Sequence, residues 1–246
     1  MATFIIADLH LSEKQPILVN AFANFYERHV YLNDRVIIAG DMFDFFVGVD
    51  KQSSFHNRIR QIINKAKQRG ITTLFQCGNR DFLMTDNAAA WLGMKLVGDF
   101  YKIPTKNGDA LIIHGDQLCL HDRKYQRFRL FSKSPIIRSL FLMLPMSMRR
   151  SIGQKLRDKS RQQEQARAKV DHLSNPVINK AGEKFLQTTG CNILIHGHFH
   201  VYGGENDVFG LKTVRMGLGS WGSHYSYIKV DRNETKMVQR LMEKNF

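Results

Sequence analysis

Ile193-Leu194-Ile195-His196-Gly197-His198-Phe199-His200 runs from an apolar segment, long enough for one buried strand, directly into three histidines around a glycine. Imidazoles gathered where a strand stops lie where open α/β sheets keep their chemistry. Four further strand-like runs end in residues of the same kind. Thr3–Ala7 leads into Asp8-Leu9-His10, and Arg35–Ala39 into Gly40-Asp41-Met42-Phe43-Asp44. Ile71–Gln76 is followed by Gly78-Asn79-Arg80-Asp81, and Ala110–Ile113 by His114-Gly115-Asp116. Helical periodicity over 16–30 and 53–69 separates the first three runs, with Ser53 or Ser54 as N-cap and Gly70 as stop, so βαβ units and a parallel sheet are predicted.

Past a short helix near Asn87–Leu92, the turn Lys106-Asn107-Gly108-Asp109 joins Lys102–Pro104 to Ala110–Ile113 as a hairpin. From Arg123 to about Val170 the apolar residues keep helical spacing, interrupted by Pro135 and Pro145, which predicts a helical insertion at about 123–170 of one domain spanning 1–246. A helix from Pro176 returns the chain to the histidine-rich strand. Lys212–Met216, Tyr225–Val230 and Lys236–Leu241 alternate as strands of a second sheet.

At 246 residues and 43% apolar composition the chain is long enough for a sizeable core and unlike a disordered one. Its net charge of +14 is concentrated: Arg123 to Lys169 holds fourteen Lys and Arg against Asp158 and Glu164, while the remainder carries 22 basic and 20 acidic residues. Three scattered cysteines form no C-x-x-C pair and suit a reducing compartment. No secretion signal and no apolar run of transmembrane length is present, so a cytoplasmic protein with only peripheral membrane contact is expected.

The donor types point to cations. Asp8 and His10 leave the same face of a strand end. Asp41 follows a glycine and is placed to bridge two ions. Asn79 offers an amide oxygen, and His114, His198 and His200 offer imidazoles. Oxygen and nitrogen donors without thiolate suit Mn²⁺, Fe²⁺ or Zn²⁺ rather than Ca²⁺ or a structural zinc, and two ions is the economical count.

D-x-H, G-D-x-x-D, G-N-R-D, H-G-D and G-H-x-H, in this order and each after a strand, resemble the calcineurin-like metallophosphoesterases. The resemblance implies an α/β fold in which two sheets form a sandwich flanked by helices, in four αββα layers, here with a helical insertion as lid. It implies one ion held by Asp8, His10, Asp41 and His200 and another by Asp41, Asn79, His114 and His198. Such ions activate water and neutralise charge on the phosphoryl oxygens, so no protein nucleophile is needed. Many relatives have His where this chain has Arg80. Arginine stays charged and cannot donate a proton to a leaving group, so a phosphate clamp is expected.

Within the family the similarity is greatest to members acting on UDP-2,3-diacylglucosamine in lipid A biosynthesis. It rests on Gly78-Asn-Arg-Asp-Phe-Leu83, His114-Gly-Asp-Gln-Leu-Cys119 with Asp122, and Tyr125-Gln126-x-Phe128-Arg129. It implies two Mn²⁺, hydrolysis to 2,3-diacylglucosamine 1-phosphate and UMP, catalytic roles for Asn79, Arg80 and His198, and substrate contacts at Asn79, Arg80, Asp122, Ser160, Glu164, Arg167 and His198. The insertion is then expected to turn Phe131, Ile136, Ile137, Phe141 and Leu144 inward around acyl chains. Its Lys and Arg would lie outward, toward the anionic cytoplasmic face of the inner membrane.

Asp44, Asp81 and Asp116 are expected behind the ligands rather than among them. His29, His56, His121, His172 and His224 read as structural, and His196 is left open. A soluble nucleotide or nucleic-acid phosphodiesterase with the same metals is the alternative enzyme, and a scaffold that lost its site the non-catalytic one. The basic segment is interleaved with an apolar stripe rather than with stacking aromatics, which disfavours nucleic acid. No obligate protein partner is expected.

Overall fold

Alternation along the inner strands builds the layers. The computed structural model describes residues 1–120, 122–167, 176–206 and 213–242, without the side chains of 159–167, 176 and 177. In β1 (Thr3–Ile6), Phe4 and Ile6 face a core shared with the helices, while Ile5 and the following Ala7 face the other sheet. In β2 (Arg35–Ala39), Val36 and Ile38 take the first direction, Ile37 and Ala39 the second. Both faces are covered, which is why these strands are apolar throughout.

The first sheet has the order β11 (Thr235–Leu241), β10 (His224–Val230), β1, β2, β3 (Thr72–Gln76), β4 (Lys95–Val97), with β1 to β4 parallel. Helices α1 (Pro16–His29), α2 (Ser54–Gln68) and α3 (Asp86–Leu92) contribute Phe22, Phe25, Ile59, Ile63 and Leu92 to its outer core. Ser53 caps α2 by accepting the His56 N–H at 3.3 Å. The second sheet runs β5 (Tyr101–Thr105), β6 (Gly108–Ile113), β7 (Ile193–His196), β9 (Val214–Gly217) and β8 (Gly203–Asn206). Leu111, Ile113 and Leu194 turn outward to α7 (Pro176–Thr189), and Ala110, Ile112, Ile193 and Ile195 turn inward to the first sheet. The result is the four-layer αββα sandwich. Each wholly buried Ile, Leu or Phe contributes roughly 1.5–3 kcal/mol relative to exposure.

Two expectations change. β10 (His224–Val230) and β11 (Thr235–Leu241) belong to the first sheet: β10 closes the open edge of β1 antiparallel, in the register Thr3↔Val230 and Ile5↔Ile228. Alternation fixes which faces of a strand are apolar but not which open edge it joins. The second change concerns the chain between β6 and α7, where α4 (Arg123–Ser132), α5 (Pro135–Met143) and α6 (Met146–Arg167) follow a 3-10 turn at Asp116–Leu118. Phe131 and Ile136 are 60% and 71% exposed, and Leu130, Leu140 and Met143 are exposed with them. Several cations turn inward instead. Arg129 reaches Asp116 and Asp99, Lys133 reaches Asp99, Arg138 the Met84 carbonyl, Arg149 the Val47 carbonyl and Arg157 the Asp44 carboxylate. The body beneath these helices offers carboxylates and carbonyls, so it draws in guanidinium groups and leaves part of the apolar stripe outside.

Candidate metal centre

Five strand ends meet at one edge of the sandwich. Asp8 and His10 follow β1, Asp41 follows β2, Asn79 follows β3, His114 follows β6, and His198 and His200 follow β7. The loops are laced together: Asp8 N–H donates to Gly40 O at 3.1 Å, His10 N–H to Asp41 O at 3.1 Å, and Gly197 N–H to His114 O at 2.8 Å. Across the sheets, His198 N–H donates to Asp8 Oδ2 at 2.8 Å.

The backbone is strained here and little elsewhere. Six non-glycine residues among those described have positive φ, and five are Asp8, His10, Asp41, His198 and His200, at 49–69°. Left-handed backbone at side chains other than glycine is held in place only where the surroundings over-determine it, and such positions cluster at functional sites. Gly78 allows the close approach: a Cβ there would lie 2.2 Å from Asp41 Oδ1.

Donor atoms of Asp8, His10 and His200 lie within 4.8 Å of one another, as do those of Asp8, Asp41 and His114. Asn79 Oδ1 is 3.0 Å from His114 Nε2 and 2.8 Å from His198 Nδ1. His10 Nε2 faces His200 Nε2 at 3.1 Å, with Asp8 Oδ1 3.6 Å from the latter. Asp8 Oδ1 is buried and accepts no hydrogen bond from the described residues. Imidazole nitrogens facing one another beside a buried, unsatisfied carboxylate oxygen form the donor set of a divalent cation.

Electrostatics agree. Burial, with Arg80 nearby, holds His10 well below the ordinary imidazole range, and burial with His114 nearby holds His198 at about 3. Both therefore present neutral rings, the form that binds metal. Burial would raise Asp8, but the imidazoles of His200, His114 and His10 outweigh it and hold the carboxyl far below its usual value. Burial followed by the charge of Asp8 raises Asp41. For His114 burial is outweighed by Asp41, Asp8 and Asp116, which push it up to about 9.

The second row of residues is equally ordered. Asp81 accepts Gly78 N–H at 2.6 Å and Met42 N–H at 2.8 Å, tying the loops after β2 and β3 together, and burial and Asp41 raise it to about 7. Arg80 Nε lies 3.3 Å from Asp41 Oδ2, and Arg80 Nη1 3.9 Å from the Asp44 carboxylate that Arg157 also meets. Asp116 accepts from the Tyr125 hydroxyl at 3.1 Å and Arg129 Nε at 2.8 Å. His196 is buried with both ring nitrogens engaged by the protein: Nε2 accepts from Arg215 Nε at 2.9 Å and Nδ1 lies 2.9 Å from the Gly197 carbonyl. Asp122 caps α4, accepting Tyr125 N–H at 2.9 Å. The side chains of Ser160, Glu164 and Arg167 lie outside the described residues, as do His121 and His172. Arg157 carried no signal in the sequence: it is one of many basic residues on a basic helix.

A two-sheet α/β sandwich with oxygen and imidazole donors converging from five strand ends defines a metal-dependent phosphoester hydrolase. Residues 1–202 match the calcineurin-like phosphoesterase family, and the chain belongs to it. Curated relatives agree over nearly full length. The UDP-2,3-diacylglucosamine hydrolase of Haemophilus influenzae (strain PittGG) is 36% identical, over 94% of this chain and 95% of the relative. Those of Tolumonas auensis and Proteus mirabilis are 33% and 34% identical, over 98% and 97% of this chain and 97% and 99% of theirs.

Proposed function

We propose that this chain hydrolyses the pyrophosphate bond of UDP-2,3-diacylglucosamine with two Mn²⁺, releasing 2,3-diacylglucosamine 1-phosphate and UMP by attack of water at the UMP phosphorus. The observation that carries this reading is the extent of the likeness, which includes the basic, apolar-striped helices α4–α6 as well as the metal centre.

Asp8, His10, Asp41 and His200 would hold one ion, and Asn79, His114 and His198 the other together with Asp41. Bound there, the ions supply Lewis acidity and a water of lowered pKa. The protein's own part is placement. Arg80, charged at any physiological pH and set against Asp41, clamps a non-bridging phosphoryl oxygen and stabilises charge developing on it. Arg157, meeting Arg80 at Asp44, adds a second cation from the overlying helix. With attack at the UMP phosphorus the group that leaves is 2,3-diacylglucosamine 1-phosphate, a phosphate monoester stable as an anion, so it needs no acid in place of Arg80.

Helices α4–α6 form the lid. Its half-buried Ile137, Phe141 and Leu144 line the path for acyl chains, with Asp122, Ser160, Glu164 and Arg167 contacting the substrate head. Leu130, Phe131, Ile136, Leu140 and Met143, exposed beside Lys and Arg, suit peripheral contact with the anionic cytoplasmic face of the inner membrane, at roughly 1 kcal/mol per basic residue near the surface. No described helix is long and apolar enough to cross a membrane.

The test is UMP release from UDP-2,3-diacylglucosamine and, beside it, hydrolysis of a soluble dinucleoside polyphosphate, each with Mn²⁺ and with chelator. Mn²⁺-dependent turnover of the lipid substrate alone is expected. Turnover of the soluble substrate alone would refute the lipid reading.

A further inference from the structure

The two nitrogens of His198 face different neighbours. Nδ1 lies 2.8 Å from Asn79 Oδ1, on the side where His114 Nε2 also arrives. Nε2 points away from that cluster, toward the Sγ of Cys119 at 3.6 Å. Cys119 is 6% exposed and ends the 3-10 turn that follows His114-Gly115. Its own backbone is pinned: its carbonyl accepts Asp122 N–H at 3.2 Å and Gln126 Nε2 at 3.2 Å, both from the start of α4. The imidazole is held edge-on by His114 and Phe199, each with its centroid 5.2 Å away, and lies 6.3 Å from the Tyr125 ring.

A neutral imidazole that gives one lone pair to a cation carries its proton on the other nitrogen, and that N–H needs an acceptor to fix the ring. Carboxylates and backbone carbonyls are the common acceptors. Here a thiol sulfur is placed for the role. We infer that Cys119 is a positioning residue: its sulfur accepts the Nε2–H of His198, fixes the tautomer that presents Nδ1 toward Asn79, and so sets the affinity of the second ion. The sulfur is not itself a ligand, because it lies on the far side of the ring from Asn79 Oδ1. The docking of α4 thereby bears on metal binding, since the same residues that seat α4 fix the Cys119 backbone.

This inference rests on His198 holding the second ion. The experiment separates the two by Mn²⁺ titration calorimetry of the metal-stripped full chain, comparing wild type, Cys119→Ala and Cys119→Ser. In wild type two binding events are expected. In Cys119→Ala one of the two loses about tenfold in affinity while the other holds, the lower end of what removing a group behind a ligand does. Cys119→Ser, which keeps an acceptor, recovers most of the loss. With Zn²⁺ bound and histidine labelled with ¹⁵N, the His198 Nε2–H resonance should be protected from exchange in wild type and Cys119→Ser and lost in Cys119→Ala. Unchanged affinity in Cys119→Ala would overturn the inference. So would parallel weakening of both events with a lowered urea midpoint of the metal-free protein, which marks a packing defect. A wild type that binds fewer than two ions would overturn the site assignment itself.

Discussion

Arg129→Met isolates the charge that seats α4 on the body. Arg129 Nε donates to Asp116 Oδ2 at 2.8 Å and Arg129 Nη2 to Asp99 Oδ2 at 2.5 Å, with Asp116 1% exposed. In the variant Asp116 keeps the Tyr125 hydroxyl at 3.1 Å, and the more exposed Asp99 keeps Lys133 at 2.7 Å. Removing one partner of a buried ion pair costs about 3–5 kcal/mol, and the retained partners set this case near 3. For a domain of this size that is a fall of roughly 6–12 °C in thermal midpoint, read by calorimetry on the metal-free protein at neutral pH. The origin of the loss is checked by Arg129→Met/Asp116→Asn. Removing the stranded carboxylate should recover at least about 1 kcal/mol, a coupling that independent sites do not show. Burial raises Asp116, but His114 and Arg129 outweigh it and hold the carboxyl below its ordinary value. Its contribution is therefore present above the unfolded value near 4 and fades as pH falls through the folded one, so the deficit of Arg129→Met should shrink in acid. A double variant as unstable as the sum of the singles, with a deficit unchanged down to pH 3, would show that Arg129 acts by packing and refute the charge argument.

Arg80→Ala should lower turnover by about 10²–10³-fold while metal content by elemental analysis holds, since it removes one charge-stabilising donor; loss of metal would show that Arg80 instead supports Asp41. Ile137→Asp or Phe141→Asp should reduce hydrolysis of the diacylated substrate far more than that of a soluble phosphodiester, and equal losses would make these residues ordinary packing. His114, pushed up to about 9 in the metal-free protein against an unfolded value near 6.5, stabilises that form fully below about pH 6.5 and progressively less as pH rises through 9. The urea midpoint of chelator-treated protein should fall between about pH 7 and 9.5, and Mn²⁺ loading at pH 7.5 should release protons; a flat midpoint and no release would refute it.

The residues that the structure gathers at the candidate metal centre were legible before the fold because their signal is local. A carboxylate, amide or imidazole after an apolar run can be read from a few neighbours, and Asp8, Asp41, Asn79, His114 and His198 each had that context. Asp44 and Asp116 were legible as supporting groups by the same proximity. Arg157 was not, since nothing local marks which arginine of a basic helix will meet Asp44, 113 positions earlier in the chain. Nor was the burial of His196 against Arg215, which depends on β9 pairing with β7.

The sequence by itself determined the succession of strands and helices, the donor types at the strand ends and their order along the chain, because periodicity and residue chemistry are properties of short segments. Only the tertiary structure decided that β10 and β11 extend the first sheet, that Phe131 and Ile136 face outward while Arg129, Arg138 and Arg157 face inward, and which nitrogen of His198 meets Asn79. Those outcomes follow from which open edge, buried carboxylate or unsatisfied carbonyl lies within reach once the chain is packed, and reach is not a local property.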